Sequence, residues 1–367
     1  MILTFVFADS AQEWNTSNWR CVIPAKAINR AGRHHVHLIG IGDFSRNTPE
    51  SQSICSQSDI IVVERNLFGD TLSAIQYWKA RDKVVVANFD DAYQLMHPSN
   101  ISYNFWNKGE VNTTDQNGVT TKTNISPIPL TAFKWGLRMI DAAVVSSKIL
   151  VKDWEEYTDV YYLPNYLDTD IYLHSEPAVP HEGIYIGWGG SLSHFQSFTD
   201  SGILLALKQV LRARPQARLL ICGNKSVYER IDLLDSQKKF QDFVPFEKWA
   251  TVLRTYDIGL APLHGLYDGR RSWIKPLEYM LLKIPWLASD NIAYQDISSF
   301  GNVVKNTPKA WEAALLDMID HLEGYREKAA GEPYQYALQQ GANENVDNIL
   351  NIYAEIYRKS TGKNLAV

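Results

Sequence analysis

Cysteine is scarce. Only Cys21, Cys55 and Cys222 occur, without the spacing of a metal site or a disulfide framework. That excludes a disulfide-stapled scaffold and a thiolate zinc site, and points to a reducing, cytoplasmic compartment. Long apolar runs are also missing, and nothing approaches the ~20 residues that span a bilayer. The opening Met1-Ile2-Leu3-Thr4-Phe5-Val6-Phe7 is too short for a signal peptide and lacks basic flanks, so it reads as a first strand. There is no excess of positive charge. A net charge of −5 argues against a dedicated polyanion binder, although local basic patches remain open. No Gly-x-Gly-x-x-Gly follows a strand-like run with an acidic residue about twenty positions on, which argues against a dinucleotide-dependent oxidoreductase. Internal repeats and low-complexity tracts are absent.

What is present suits a globular α/β protein. At 367 residues the chain is long for one core and fits two domains; 45% hydrophobic and 21% charged residues are ordinary globular values. Eleven tryptophans and nineteen tyrosines supply either core packing or stacking surfaces for sugars and bases. Strand-like runs recur at Ile2–Ala8, His35–Ile41, Asp59–Val63, Lys83–Ala87, Asp141–Ser146 and Val160–Leu163. Helical patterns lie between several of them; in Leu67 to Lys79, Leu72, Ile75 and Trp78 share a face. Alternation of this kind implies βαβ units and a parallel sheet.

Ligands of such sheets collect at the carboxyl ends of the strands. The loop from Asp9 to Arg20 falls there, as does Asn88-Phe89-Asp90-Asp91. Asp90 and Asp91 read either as ligands for a cation or substrate hydroxyls, or as a cap for the next helix; they lack the intervening residue of an Asp-x-Asp motif. Residues 101–129 form a polar stretch without a period, of the length that marks a functional or disordered loop. A low-hydrophobicity linker follows at Ser175–Glu182. Ile184–Trp188 then reads as a strand running into Gly189-Gly190-Ser191-Leu192-Ser193-His194, and Ile203, Leu204, Leu207, Val210 and Leu211 form a helical stripe. Strand, glycine turn and helix let backbone amides approach a phosphate, or make a plain tight turn. Ala217–Cys222 with Gly223-Asn224 repeats the arrangement.

The most informative stretch is Asp257–Asp290. A buried-type strand, Ile258–Leu263, meets a loop with Arg270, Arg271 and Ser272, then a helix opened by Lys275-Pro276 and carrying Glu278 in its first turn. Cations crowding a helix start, where the dipole disfavours them, suggest an anion site; the alternative is a solvated basic loop.

The pattern Ser272-x-x-Lys275-x-x-Glu278-Tyr279, with Pro285 and Ala288-Ser289-Asp290, resembles the donor-site segment of group 1 (family 4) glycosyltransferases of the GT-B fold. Leu163-Pro164-Asn165-Tyr166-Leu167-Asp168 is similar to that family's Pro-Asn-Gly-Val-Asp segment, with Tyr166 for the glycine. The resemblance covers most of 160–310 and is only architectural before Asp141. It implies two Rossmann-like domains with parallel sheets facing a central cleft: an acceptor domain over 1–174 and a donor domain over 183–343, with helix 344–358 returning to the first. It implies a retaining, metal-independent transferase moving a hexose or pentose from a nucleotide-diphosphate sugar to a glycan, lipid-linked or nucleic-acid hydroxyl. No further cofactor is implied.

By the same resemblance Glu278 grips the ribose. Gly189, Gly190, Ser191, His194, Gly223, Asn224, Arg270 and Ser272 line the donor, and Lys275 and Arg271 neutralise the diphosphate, with Asp91 also catalytic. Asn18, Arg20 and Asp90 face the acceptor, and residues 101–129 shape its cleft. The family's first glutamate falls on Arg270, a departure that keeps a non-catalytic sugar- or nucleotide-binding protein in view.

Overall fold

A computed structural model describes residues 1–9, 15–115 and 118–365. The chain divides into two units: Met1–Tyr166 with Arg270–Ser272 and Ala342–Val367, and Leu167–Gly269 with Trp273–Gly341.

The first unit contains β1 (Ile2–Phe7), β2 (His35–Gly40), β3 (Ile60–Glu64), β4 (Val84–Phe89), β5 (Glu110–Thr114), β6 (Thr120–Asn124), β7 (Ala142–Val145) and β8 (Val160–Tyr162). Six of these make one parallel sheet in the order β2-β1-β3-β4-β7-β8. All six strand-like runs read from the first half of the sequence are found. β3 and β4 are buried along their whole length, as strands covered on both faces must be, and their Ile/Val runs show no alternation. Strand order reverses between β1 and β3, so this sheet's crevice opens at their carboxyl ends.

The long polar stretch is more ordered than its sequence suggests. β5 and β6 pair as an antiparallel hairpin, with Glu110 opposite Asn124 and Thr114 opposite Thr120. Threonine favours extended backbone, but both faces are polar and largely exposed, so no apolar alternation betrayed the strands. Just before the hairpin Trp106 stacks on Tyr93 at 3.9 Å and meets Phe133 edge-on at 5.8 Å.

The helix Val346–Thr361 belongs to the first unit and buries Ile349, Leu350, Tyr353 and Ile356 against the helix Ile23–Ala31 and β4. Its Tyr353 ring lies 5.7 Å from Phe5 of β1.

The second unit has β9 (Ile184–Gly190), β10 (Ala217–Gly223), β11 (Lys238–Asp242), β12 (Ile258–Ala261), β13 (Trp286–Ser289) and β14 (Asn302–Val304). They form a parallel sheet ordered β11-β10-β9-β12-β13-β14. This is the doubly wound order 3-2-1-4-5-6, whose switch point lies between its first and fourth strands, here β9 and β12. Ile186, Trp188, Leu207, Ile221 and Trp311 are among the residues of its core.

The division falls after Tyr166, earlier than the Ser175–Glu182 linker suggests. The reason is local: Leu167 pairs with Gly341, and Tyr172 of the helix Thr169–Leu173 takes a hydrogen bond from Arg254 on its carbonyl at 2.9 Å. Residues 167–174 are thereby part of the second unit.

Candidate functional site

In the second unit the carboxyl ends of β9 and β12 define the crevice, and aromatic side chains fix what surrounds it. Tyr279 lies over Gly259, where a Cβ would come within 2.6 Å of its ring, and its hydroxyl donates to the Leu260 carbonyl at 3.0 Å. That contact seats the helix Ile274–Leu281 on β12. Glu278, one residue earlier, is 1% exposed. Its Oε1 accepts from the Tyr172 hydroxyl at 2.6 Å and from Trp249 Nε1 at 2.9 Å. The Trp249 indole in turn lies against Gly189 near the end of β9, where a Cβ would meet it at 2.5 Å. Burial pushes the Glu278 carboxyl up to about 7, against the Tyr172 hydrogen bond, the Lys275 charge and the Trp249 hydrogen bond, which hold it down. Lys275 is half-buried at the second position of the helix.

In the first unit the ends of β1, β3 and β4 gather charge. Glu64 is fully buried; its Oε2 accepts from the Ala8 amide at 2.9 Å and from the Ser17 hydroxyl. Arg65 pairs with Asp9 and lies 3.7 Å from Glu64, and it sits at φ +38°, a conformation side chains other than glycine rarely adopt. Asp90 and Asp91 are half-buried beside this group. Burial first, then the Asp91 charge, lifts Asp90 to about 7, with Arg20 and Arg65 opposing. Among the described residues no group of three or more His, Cys, Asp or Glu side chains is arranged to hold a metal ion. No described helix is long and apolar enough to cross a membrane.

No protein-family model matches the chain, and no curated protein matches its sequence. Solved structures do match. Sucrose-phosphate synthase from Thermosynechococcus elongatus superposes with a TM-score of 0.63 at 13% identity, over 98% of this chain and 99% of that one. The fold is GT-B. Anabaena HepE, solved in complex with UDP and glucose, gives a TM-score of 0.62 at 12% identity, over 96% of this chain and 100% of that chain. The Escherichia coli trehalose-6-phosphate structure bound with UDP-2-fluoro glucose gives 0.59 at 10%, over 98% and 99%. At such identities the likeness establishes GT-B architecture and leaves the chemistry to the residues.

Set on the GT-B frame, the residues singled out from sequence separate into those around the crevice and those spent on structure. Glu278 is joined through Trp249 to Gly189 near the end of β9, and Lys275 lies on the same helix as Glu278. Gly189 and Gly190 are the last residues of β9 and not a turn. The absence of a side chain at Gly189 makes room for Trp249, a packing reason that accounts for this glycine without a phosphate. Ser191 leads into a 3-10 turn, Leu192–His194, with the Ser191 and Ser193 hydroxyls 2.7 Å apart and the His194 amide donating to the Ser191 carbonyl at 3.0 Å. Gly223 ends β10 at φ +117°, and a Cβ there would meet the Gly190 carbonyl oxygen at 2.8 Å, so only glycine fits. Asn224 caps the next helix, accepting from the Ser226 amide at 2.9 Å.

Arg270, Arg271 and Ser272 group with the first unit, apart from Lys275 and Glu278. Arg270 grips Asp153 with both arms of its guanidinium, at 2.9 and 3.1 Å, so the side chain standing at the family's first glutamate is committed to a carboxylate of the protein. Arg271 and Ser272 are half-buried.

Arg20 is a brace. It is 2% exposed and donates to Asn88 Oδ1 (2.7 Å), the Leu163 carbonyl (2.7 Å), Asn165 Oδ1 (2.9 Å) and the Val144 carbonyl (3.4 Å). Asn18 is likewise buried, in the same short π-helical turn, Asn18–Val22. Neither is placed as a surface contact for an acceptor: the sequence shows a polar loop but not that its arginine turns inward to carbonyls at strand ends. Ser10–Trp14 of this loop lie outside the described residues.

One stretch does have Asp-x-Asp spacing, Asp168-Thr169-Asp170. It opens the helix Thr169–Leu173, with Asp168 buried at the N-cap position. Sequence reading missed Tyr172, Trp249, Glu64 and Arg65. The last two adjoin a strand end, a signal that was available; Tyr172 and Trp249 lie far from Glu278 in sequence, and nothing local marks them.

Proposed function

We propose that this chain is a retaining glycosyltransferase that takes a hexose or pentose from a nucleotide-diphosphate sugar and passes it to an acceptor hydroxyl. The observation that carries the reading is Glu278: a buried carboxylate in the second turn of the helix Ile274–Leu281, not the first turn the sequence suggests, tied through Trp249 to Gly189 near the end of β9. By its resemblance to the family's ribose-binding glutamate, this carboxylate would grip the ribose hydroxyls of the donor. GT-B relatives solved with UDP and glucose or a UDP-sugar support the donor class. Lys275, three residues before Glu278, supplies positive charge where a diphosphate would lie. In this mechanism the diphosphate leaves as the anomeric carbon becomes cation-like. Fixed cationic and amide groups stabilise the departing charge, and the departing phosphate oxygen accepts the proton of the incoming hydroxyl on the same face.

The test is Glu278→Gln with calorimetric binding of UDP-, GDP- and ADP-glucose. The variant is expected to lose about 1–3 kcal/mol of donor affinity, as when a charged hydrogen bond is removed, while melting as the wild type does. Unchanged affinity for the donor that the wild-type chain binds would remove Glu278 from the site.

Transfer is proposed to need no metal. Asp90-Asp91 lacks the intervening residue, and Asp168 of the one Asp-x-Asp stretch is buried at a helix N-cap. Activity is expected to persist after exhaustive chelation; loss in chelator restored by manganese would refute this.

Arg270 favours a second reading, a binding protein of the same fold without turnover, because its guanidinium is held by Asp153. Release of free nucleotide from a bound nucleotide-sugar, by transfer or slow hydrolysis, separates the two.

A further inference from the structure

Glu278 carries two hydrogen bonds, and both fall on the same oxygen. Tyr172 and Trp249 come from different helices, Thr169–Leu173 and Phe246–Leu253, and converge on Oε1 at 2.6 and 2.9 Å. Among the described residues no hydrogen bond reaches Oε2. A carboxylate has room for about four acceptor bonds, so this one is clamped on one side and kept for use on the other. Each clamp residue is itself anchored. The Tyr172 carbonyl accepts from Arg254 at 2.9 Å, and the Trp249 ring is seated on Gly189. Tyr172 is buried next to Glu278, and burial and that carboxylate raise its own pKa, so it stays an O–H donor.

We propose that Tyr172 and Trp249 are positioning residues, which fix the rotamer of Glu278 and hold Oε1 so that Oε2 is presented to the vicinal ribose hydroxyls of the donor. The inference rests on the reading of Glu278 as the donor contact and adds the two residues that make that contact directional. A carboxylate left to rotate would lose pre-organisation and, with it, affinity.

The clamp has a pH signature that a merely structural role lacks. The groups acting on Glu278 are Tyr172, Trp249 and Lys275, and the buried rings of Tyr256 and Tyr279 also lie within electrostatic reach. Burial raises the Glu278 carboxyl to about 7, and the two clamp bonds and Lys275 pull it down. The ionised form accepts from ribose, so donor affinity falls as pH drops through that value. Deleting a clamp bond raises the carboxyl further and moves the midpoint upward.

The experiment measures the dissociation constant of UDP-, GDP- or ADP-glucose, whichever the wild-type chain binds, from pH 5.5 to 9. The proteins are wild type, Tyr172→Phe, Trp249→Phe and Glu278→Gln, each with a melting curve. Tyr172→Phe is expected to move the midpoint up by about one pH unit, the equivalent of one hydrogen bond, and to bind more weakly than wild type even at pH 9, by the pre-organisation it loses. Trp249→Phe keeps a ring on Gly189 and is expected to shift it the same way. Glu278→Gln should bind weakly at every pH. A weakened Glu278→Gln with both clamp variants titrating as wild type would overturn the clamp while sparing the donor site. So would a lowered melting temperature with an unmoved midpoint. Glu278→Gln binding as wild type throughout would overturn the underlying reading, and the clamp with it.

Discussion

Lys275→Ala is expected to lower turnover about 10²–10³-fold, the usual cost of removing one preorganised group that stabilises developing charge, while changing the donor's apparent binding constant only a few-fold. Its charge matters most as the diphosphate separates, and an interaction made mainly in the transition state shows in kcat more than in KM. The assay belongs near pH 8.5. Lys275 also holds the Glu278 carboxyl down, so at neutral pH its removal would weaken donor binding through protonation of Glu278 and confuse the two effects. Stability should stay level or rise slightly, because a cation near a helix N-terminus is unfavourable. Normal turnover with a much lower melting temperature would make Lys275 structural and send the search for the diphosphate site elsewhere.

The second large effect is one of stability. Arg20→Ala is expected to destabilise the first unit by about 3–5 kcal/mol, the combined cost of several buried acceptors losing their donor. Two side-chain carbonyls, of Asn88 and Asn165, and the Leu163 backbone carbonyl lose their donor at once, and each such loss typically costs ~1–3 kcal/mol. Urea denaturation of the whole chain measures it. A midpoint within error of wild type, with acceptor turnover reduced, would restore Arg20 to the surface role its loop first suggests.

Much of the architecture was legible because parallel strands buried on both faces leave contiguous Ile/Val runs, as at Ile60–Val63 and Val84–Val86, and alternation with helices dictates a parallel sheet. The β5–β6 hairpin was not legible, because polar threonines on both faces give no period for burial to impose. From sequence Leu167–His174 reads as the tail of the first domain; in the structure it groups with the second unit through the Leu167–Gly341 pairing and the Tyr172 bond to Glu278. At the candidate site, the sequence marked the helix with Lys275 and Glu278 through its proline and its misplaced cations. It also attached a phosphate-turn meaning to Gly189 that the Trp249 ring explains by packing. Arg270 was read as an odd residue in the donor pocket, and its partner Asp153 lies 117 positions away. Long-range pairings of this kind leave no local pattern.

The central claim is that a nucleotide-sugar binds at the carboxyl ends of β9 and β12 against the helix that bears Glu278. Amide hydrogen exchange with and without saturating donor, on the wild-type chain, tests it most directly. The account predicts slowed exchange concentrated in residues 189–194 and 272–279, with little change in the strands of the first sheet. Protection absent from both of those segments, at a donor concentration that calorimetry shows to be saturating, would contradict it.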